Sequence, residues 1–468
     1  MDPHLIAKIN RLWGPIYPHL ARFIAEIYRK QGGRQEGNVL ELGPFSGGIA
    51  KELVLLSPHF RVVVADETPG LFDPRRAERK KAAFAQRMMI VSSPLVPLTF
   101  VDQVFDLVIF RGAFFFLTPD ILREIDRVLR PGGMAIVGGG YGPSTPDDLI
   151  KEIAEESQHL NLLLGKRLVT EADLTLMIQQ ASLRDDAEIS TDGGLWVVLR
   201  KKGEVSQEPP SLAQTLALGS QEIISLVGGG GKTTLMFTLA RELREQGAKV
   251  ITTTTTKIIE PRGEETPTII IEDDHAQAMT SVKEGLLRHG HVTFAARRFP
   301  KGKIGGVDPA FVATMARELP VDHIIVEADG ARRLPLKAPG AQEPVIPSAT
   351  TLVIPMVGID ALGRPLGEET AFRPERIAVL TGTRLGKPIT SHLIALVMAH
   401  PQGLMKGAPP QARIIPVLNK VETTVGLRGA REVAREVLDK GGKQIERVVL
   451  SRLFFQHPII EIMERRNE

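Results

Sequence analysis

Apolar residues in this chain come in short unbroken runs, each followed by a turn and then by a helix-period pattern. Asn38–Leu42 (NVLEL) and Arg61–Ala65 (RVVVA) read as buried strands, with a helix over Ile49–Leu56 between them. Later the pattern returns. Glu222–Val227 (EIISLV) is an apolar strand, LMFTLARELREQG after it is an amphipathic helix, and Lys249–Ile251 and His323–Val326 (HIIV) are further strands. Continuous apolar runs of this length predict strands covered on both faces, as in parallel sheets. Strands alternating with helices in both halves predict an α/β fold. The rhythm breaks at Arg200–Pro210 (RKKGEVSQEPP), a polar stretch ending in two prolines after the strand Leu195–Leu199. That break predicts a domain over 1–203, a linker over 204–212 and a domain over 213–468.

Composition narrows the function classes. A chain of 468 residues is too long for one ordinary core. Charged residues make up 24% and hydrophobic ones 43%, the balance of a globular protein, and net charge is only +3. The basic cluster Arg75–Lys81 is interrupted by Glu78 and reads as a solvated helix face. Without an electrostatic stripe, nucleic acid is not an expected partner. No apolar run approaches membrane-spanning length, so no membrane partner is expected. The start MDPHLIAKIN has an early acid and no apolar stretch, so a cytoplasmic location is the expectation. There is no cysteine, which excludes disulfides, thiolate nucleophiles, Cys-ligated metal and any cysteine-based sulfur or selenium relay on this chain. A small-molecule substrate remains.

The strand Glu222–Val227 runs into Gly228, Gly229, Gly230 and Gly231, then Lys232, Thr233 and Thr234 at a helix start. Glycines let backbone N–H groups turn inward on an anion, and the helix N-terminus adds partial positive charge. Lys232 suits β/γ-phosphates and the Thr233 hydroxyl suits Mg²⁺. Leu226 stands where the long G-x-x-x-x-G-K-[ST] pattern needs its first glycine, so the shorter G-x-x-G-K-[ST] fits. The strand His323–Val326 ends in Glu327 and Asp329, candidate catalytic acids for an Mg²⁺ shell or a water, with Asp329 the expected metal ligand beside Thr233. Thr256 and Lys257, at the exit of a five-threonine strand, and Arg332, Arg333 and Lys337, in a proline-broken basic segment, are candidate contacts for an anionic substrate. Asn419-Lys420-Val421-Glu422 departs from the guanine-reading Asn-Lys-x-Asp by its final Glu, so ATP and GTP both stand.

In the first half a glycine turn, Gly43–Gly48, follows strand one, and Asp66 ends strand two, the general layout for an adenosine ligand. Phe45 takes the place of a second glycine. VLELGPFSGG at Val39–Gly48, Asp66, FDLVIFRGAFFFL at Phe105–Leu117 and LREIDRVLRPGGMAIV at Leu122–Val137 together resemble the class I S-adenosylmethionine-dependent methyltransferases over roughly residues 38–140. In the last motif a helix, a Pro131-Gly132-Gly133 turn and a strand are expected. The resemblance implies a Rossmann-like seven-stranded sheet, with Glu41, Gly43 and Gly47 at the methionine end of the cofactor, Asp66 at the ribose, and Ser92 and Ser93 nearby. Serine at the first of that pair departs from the family, which often has an acid there. Trp13, Tyr17 and Phe23 are expected to pack.

In the second half, VGGGGKTT, TTTTTK, VEADGARRLPLKAPG and LNKVE, in this order, resemble the YqeC family. The likeness implies a P-loop nucleotide-binding α/β domain. It also implies an NTP-dependent accessory role for a selenium-dependent molybdenum hydroxylase, in maturing a selenium- or molybdopterin-containing cofactor. That hydroxylase or its other maturation factors would be the partners. The expectation is a maturation enzyme using Mg²⁺ and ATP or GTP, fused to a methyltransferase domain. Two rivals stand beside it: a nucleotide-switched carrier with a non-catalytic methyltransferase fold, and an ATP-dependent ligase, because the short loop looks like that of the Mur ligases.

Overall fold

The computed structural model describes residues 2–30, 32–33, 36–67, 87–203 and 210–465. The cluster Arg75–Lys81 and positions 204–209 of the expected linker lie outside them. The chain divides into two compact units, Met1–Glu208 with Phe454–Gln456, and Pro209–Leu453 with His457–Glu468.

The first unit is built on a seven-stranded sheet. Its strands are β1 (Gly37–Leu42), β2 (Phe60–Asp66), β3 (Met88–Ser92), β4 (Phe105–Arg111), β5 (Leu129–Gly140), β6 (Ala187–Ser190) and β7 (Gly194–Arg200). They lie in the order β3-β2-β1-β4-β5-β7-β6. The first five are parallel, and β7 runs antiparallel to both neighbours. The order reverses between β1 and β4, which opens a crevice at their carboxyl ends. Helices α1 (Pro3–Leu12), α2 (Tyr17–Lys30), α3 (Gly48–Leu56) and α4 (Pro119–Val128) pack in this unit. Trp13 stacks on Tyr141 with ring centroids 4.9 Å apart and donates its indole N–H to Ser157 Oγ at 2.8 Å. Tyr17 and Phe23 are likewise buried, so these aromatics pack as expected. The Pro131-Gly132-Gly133 turn differs from expectation because it is absorbed into β5. Gly132 is left-handed (φ 79°), and its N–H bonds Lys201 O at 2.9 Å while Lys201 N–H bonds Gly133 O at 2.9 Å, so pairing continues through the kink.

The second unit carries a larger sheet in which β8 (Glu222–Gly228), β9 (Val250–Thr254), β15 (His323–Glu327), β17 (Leu352–Gly358) and β20 (Val417–Asn419) are central. The five lie in the order β9-β15-β8-β17-β20, all parallel. Strands between these numbers are β10 (Lys257–Ile259), β11 (Ile269–Ile271), β12 (His291–Ala295), β13 (Arg297–Phe299), β14 (Lys303–Gly305), β16 (Leu336–Lys337), β18 (Ala371–Phe372) and β19 (Arg413–Ile414). β21 (Arg447–Ser451) and β22 (Ile459–Glu464) complete the sheet's far edge. Alternate residues of β17 explain the apolar runs. Leu352, Ile354 and Met356 pack on one face with α5 (Lys232–Glu245), and Val353 and Val357 on the other. Between β19 and β20 the strand path is broken at Ile415 and Pro416. Pro416 has no N–H to offer a ladder, although its carbonyl still accepts from Val449.

Candidate functional site

Sheet order decides what meets at the end of β8. Because β15 lies between β8 and β9, Glu327 pairs in register with Leu226 on one side and Thr254 on the other. The glycine loop, the β15 acids and the β9 threonines therefore share one rim. The loop turns through left-handed glycines at Gly228, Gly230 and Gly231 (φ 97°, 75° and 132°). A Cβ on Gly230 would lie 2.1 Å from Gly358 N, and one on Gly231 would lie 2.4 Å from Asn419 Nδ2. These glycines are required by neighbouring protein as well as by any ligand.

The loop amides divide into two sets. Gly228 N–H donates to both oxygens of Asp329 at 3.1 Å, Gly229 N–H to Met356 O at 2.9 Å and Gly230 N–H to Leu334 O at 3.1 Å. The amides of Gly231, Lys232, Thr233 and Thr234, at the start of α5, donate to no group among the described residues. Those four face the position where an anion sits at a helix N-terminus.

Lys232 is buried. Its Nζ lies 3.2 Å from Asp329 Oδ1 and 3.7 Å from Glu327 Oε1, and it donates to Gly228 O at 2.5 Å. Burial pulls its pKa down, but Asp329 and Glu327 outweigh that and hold it above the ordinary lysine value. Thr233 Oγ1 donates to Glu327 Oε2 at 2.7 Å. Burial pushes Glu327 above the usual carboxylate range, against the pull of Lys232 and the Thr233 hydroxyl. Asp329 has no exposed surface and is held by Lys232, by Gly228 N–H and by Lys337 at 3.0 Å. Thr233, expected beside Asp329 for Mg²⁺, has its hydroxyl on Glu327. Asp329 lies deeper, between two lysines.

Other expected residues take different places. Thr254 Oγ1 donates to Glu327 O at 2.7 Å and Thr255 Oγ1 to Val345 O at 2.7 Å, so these hydroxyls brace the rim. Thr256 N–H bonds Thr254 Oγ1 at 3.1 Å, and Lys257 Nζ rests 4.0 Å over the Phe299 ring; no bond joins either residue to the loop among the described residues. Lys337 is fully buried. It donates to Gly330 O at 2.6 Å and to Glu343 at 2.7 Å, which makes it an internal anchor and not an exposed substrate contact. Arg332 and Arg333 are exposed. Asn419 Nδ2 donates to Gly230 O at 2.8 Å, while its Oδ1 accepts from Leu453 N–H at 3.0 Å and Ser451 Oγ at 3.2 Å, so its side chain braces the loop. Lys420 pairs with Asp360 at 2.7 Å. Glu422, where the guanine-reading pattern has Asp, is pushed up to about 7 by burial. Arg373 was not legible as a site residue. It lies 30 positions from Glu343, and only folding brings the two within 2.6 Å.

In the first unit the crevice is lined by the β1–α3 turn. Glu41 Oε2 accepts from Gly47 N–H at 2.8 Å and Ala50 N–H at 2.7 Å, which fixes the turn. Its Oε1 is buried without a hydrogen-bond partner, and burial raises its pKa. Gly43 (φ 85°) passes so close to Phe110 that a Cβ would lie 2.7 Å from the ring. Asp66 and Ser92 are register partners at the ends of β2 and β3, and Ser93 N–H bonds Asp66 O at 3.0 Å. Sequence reasoning missed Arg111 at the end of β4. Its guanidinium lies 4.8 Å from the Trp13 ring centroid, 5.2 Å from Tyr17 and 5.3 Å from Phe45. It donates to Asn10 Oδ1 at 2.8 Å, the Tyr17 hydroxyl at 2.9 Å and Phe45 O at 3.1 Å.

Comparison with known proteins separates the two units. Residues 224–375 match the model of the YqeC protein family, a span that contains the glycine loop, both β15 acids, Arg332, Arg333 and Arg373. The uncharacterized protein YqeC of Escherichia coli strain K12 is 34% identical over 218 residues, 44% of this chain and 80% of that protein. Residues 40–137 match the model of a methyltransferase domain. The ubiquinone/menaquinone biosynthesis C-methyltransferase UbiE of Hahella chejuensis is 29% identical over 149 residues, 31% of this chain and 56% of that enzyme, so the match spans little more than half its length. A crystal structure from Methanococcus maripaludis, described provisionally as an S-adenosyl-L-methionine-dependent methyltransferase, is 22% identical, covers 44% of this chain and 94% of its own, and has a TM-score of 0.37.

Proposed function

The chain belongs to the YqeC family and carries a methyltransferase domain, and from that premise we propose that its second unit is an Mg²⁺-dependent nucleoside-triphosphate hydrolase serving cofactor maturation. The observation that carries this reading is the meeting of Lys232, Thr233 and Glu327 at the end of β8, with the amides of residues 231–234 open beside them. A bound Mg²⁺ would supply charge neutralisation across the β- and γ-phosphates. Thr233 and Glu327 are the residues suited to hold it. Lys232 supplies a cation for the phosphates, and Asp329 keeps that cation in place. Asn419 holds the loop from behind through Gly230 O. The accessory role for a selenium-dependent molybdenum hydroxylase, with ATP or GTP as the nucleotide, rests on the family likeness.

The test is nucleotide-dependent stabilisation of the full chain. Mg²⁺-ATP or Mg²⁺-GTP should raise the melting temperature of the second unit, and Glu327→Gln should abolish the Mg²⁺ dependence of that rise. A wild-type protein unmoved by either nucleotide at millimolar concentration removes the reading. One observation favours the switch alternative. With Lys232 held by its own acids, the Gly228 amide closed on the Asp329 carboxylate and those of Gly229 and Gly230 on protein carbonyls, the loop must rearrange to accept a phosphate. Steady turnover by the chain alone supports the enzyme, while hydrolysis that waits for a partner protein supports the switch.

For the first unit we propose S-adenosylmethionine binding at the carboxyl ends of β1 and β2. Asp66 would take the ribose, with Ser92 and Ser93 alongside, and Glu41, Gly43 and Gly47 would form the turn at the methionine end. The free, buried Glu41 Oε1 fits a cationic or hydrogen-bonding ligand there. Methyl transfer of this class needs mainly alignment, so no base is assigned. Calorimetry with S-adenosylmethionine tests it. Asp66→Ala should weaken binding by roughly 1.5–3 kcal/mol, the scale of a charge-assisted hydrogen bond.

A further inference from the structure

Beside the glycine loop lies a cationic surface that the nucleotide reading does not use. Arg332 and Arg333 are consecutive and both left-handed (φ 50° and 64°), and Arg373, on a separate segment, is left-handed as well (φ 61°). Non-glycine residues adopt this conformation at an energetic cost, and such strain persists where the surrounding structure demands it. Here Arg332 and Arg373 meet at one aromatic ring, and Arg333 is the next residue of the chain after Arg332. The guanidinium of Arg332 lies 4.7 Å from the Phe372 ring centroid and that of Arg373 lies 4.3 Å from the same centroid. Lys337 Nζ lies 5.5 Å from it.

The charges do not cancel. Glu343 pairs with both Lys337 and Arg373 at 2.7 and 2.6 Å, and although burial opposes it, those two partners hold its pKa down at about 2. Asp329 is shared between Lys232 and Lys337. Arg376 and Lys406 donate only to the carbonyls of Pro339, Gly340 and Ala341 among the described residues. Arg332 and Arg333 have no carboxylate partner among the described residues. Arg332 and Arg333 thus add two cations without a carboxylate partner to a neighbourhood in which Lys232, Lys337 and Arg373 are already paired with Glu327, Asp329 and Glu343. The surface is also joined to the loop. Leu334, next to Arg333, accepts the Gly230 N–H, and Pro335 O accepts the Gly358 N–H at 2.9 Å.

We propose that Arg332, Arg333 and Arg373 form a second anion site, distinct from the glycine loop, that binds the oxyanion group of a small-molecule substrate, a phosphomonoester or a carboxylate. Guanidinium forks suit both. Its position against the loop makes this molecule the acceptor or co-substrate of the proposed nucleotide reaction, and that role, unlike the anion site itself, rests on the nucleotide reading. Lys337 takes no direct part. It holds Glu343 and Asp329, and so links the two sites.

The test uses the full chain at constant ionic strength. Inorganic phosphate and malonate are titrated separately by calorimetry, with and without saturating Mg²⁺-ATP, so that anion held at the glycine loop is competed away. Wild type should bind at least one probe with Mg²⁺-ATP present, and the stronger probe tells phosphomonoester from carboxylate. The double variant R332Q/R333Q changes two exposed side chains and should weaken binding about tenfold or more while leaving the Mg²⁺-ATP thermal shift in place. R373Q should weaken it similarly, and its melting curve reports whether the loss of the Glu343 pair has damaged the fold. Unchanged probe affinity in R332Q/R333Q, or no binding of either probe to wild type, overturns the site. If Mg²⁺-ATP gives no shift but the arginine variants still lose probe binding, the anion site stands and the nucleotide reading fails.

Discussion

Replacing Lys232 by alanine separates its structural from its chemical duty. A lysine at an exposed helix start would be lost at little cost to stability. Here the Lys232 side chain is only 3% exposed and lies between two carboxylates that are 0% and 7% exposed. Removing one member of a buried pair leaves an uncompensated charge and costs about 3–5 kcal/mol. Asp329 keeps Lys337 at 3.0 Å, so the orphaned charge is Glu327, left with only the Thr233 hydroxyl and the weaker field of Lys337. For a unit of this size, 3–5 kcal/mol corresponds to a fall of roughly 6–20 °C in melting temperature. The pH dependence has a definite sign. Glu327 has a folded pKa above its ordinary 4.5, so the folded state binds the proton more tightly and stability falls as pH rises between those two values. Deleting Lys232 extends that window upward, so the deficit of Lys232→Ala should be largest at neutral pH and shrink towards pH 4.5. Lys232→Ala/Glu327→Gln should recover part of the loss. Both tryptophans, Trp13 and Trp196, belong to the first unit, so fluorescence provides an internal control that should not move, while calorimetry follows the second unit. A Lys232→Ala protein that melts within about 1 kcal/mol of wild type, with a difference independent of pH, would refute the reasoning.

Further expectations follow from the same geometry. Asp329→Asn should cost about 3–5 kcal/mol by leaving Lys232 and Lys337 short of a carboxylate, whereas Glu327→Gln should be far milder, and denaturant unfolding followed by circular dichroism ranks them. Arg111→Ala should destabilise the first unit by roughly 2–4 kcal/mol through lost charged hydrogen bonds and ring contacts, read by tryptophan fluorescence beside Trp13. His291, buried against Thr252 at 3.0 Å, has its pKa lowered to about 4 by burial and then by Arg244. The unfolded chain takes up that proton first, so stability should fall by up to about 1.4 kcal/mol per pH unit from pH 6.5 down to about 4, and His291→Gln should flatten that limb.

Much of the architecture is legible in residue order alone. Unbroken apolar runs such as Ile223–Val227 and His323–Val326 imply strands covered on both faces, and both lie inside a parallel sheet. The strand–glycine–Lys232 sequence also places the helix start correctly, because glycine after a strand and β-to-helix periodicity are local signals. Side-chain roles at the rim are not local. Glu327 and Asp329 are two residues apart and chemically alike. Only the insertion of β15 between β8 and β9, and the depth of each carboxyl group, give Thr233 to Glu327 and Lys337 to Asp329, with Lys232 between the two. Lys337 reads as a loop cation in sequence, but the fold buries it because Gly330 O and Glu343 accept from it and Asp329, 3.0 Å away, balances its charge. Arg373 and Arg332, forty-one positions apart, meet at the Phe372 ring only in the fold. Sequence periodicity reports which way a segment faces. It carries nothing about which distant segment supplies the partner, and for buried charges the partner decides the role.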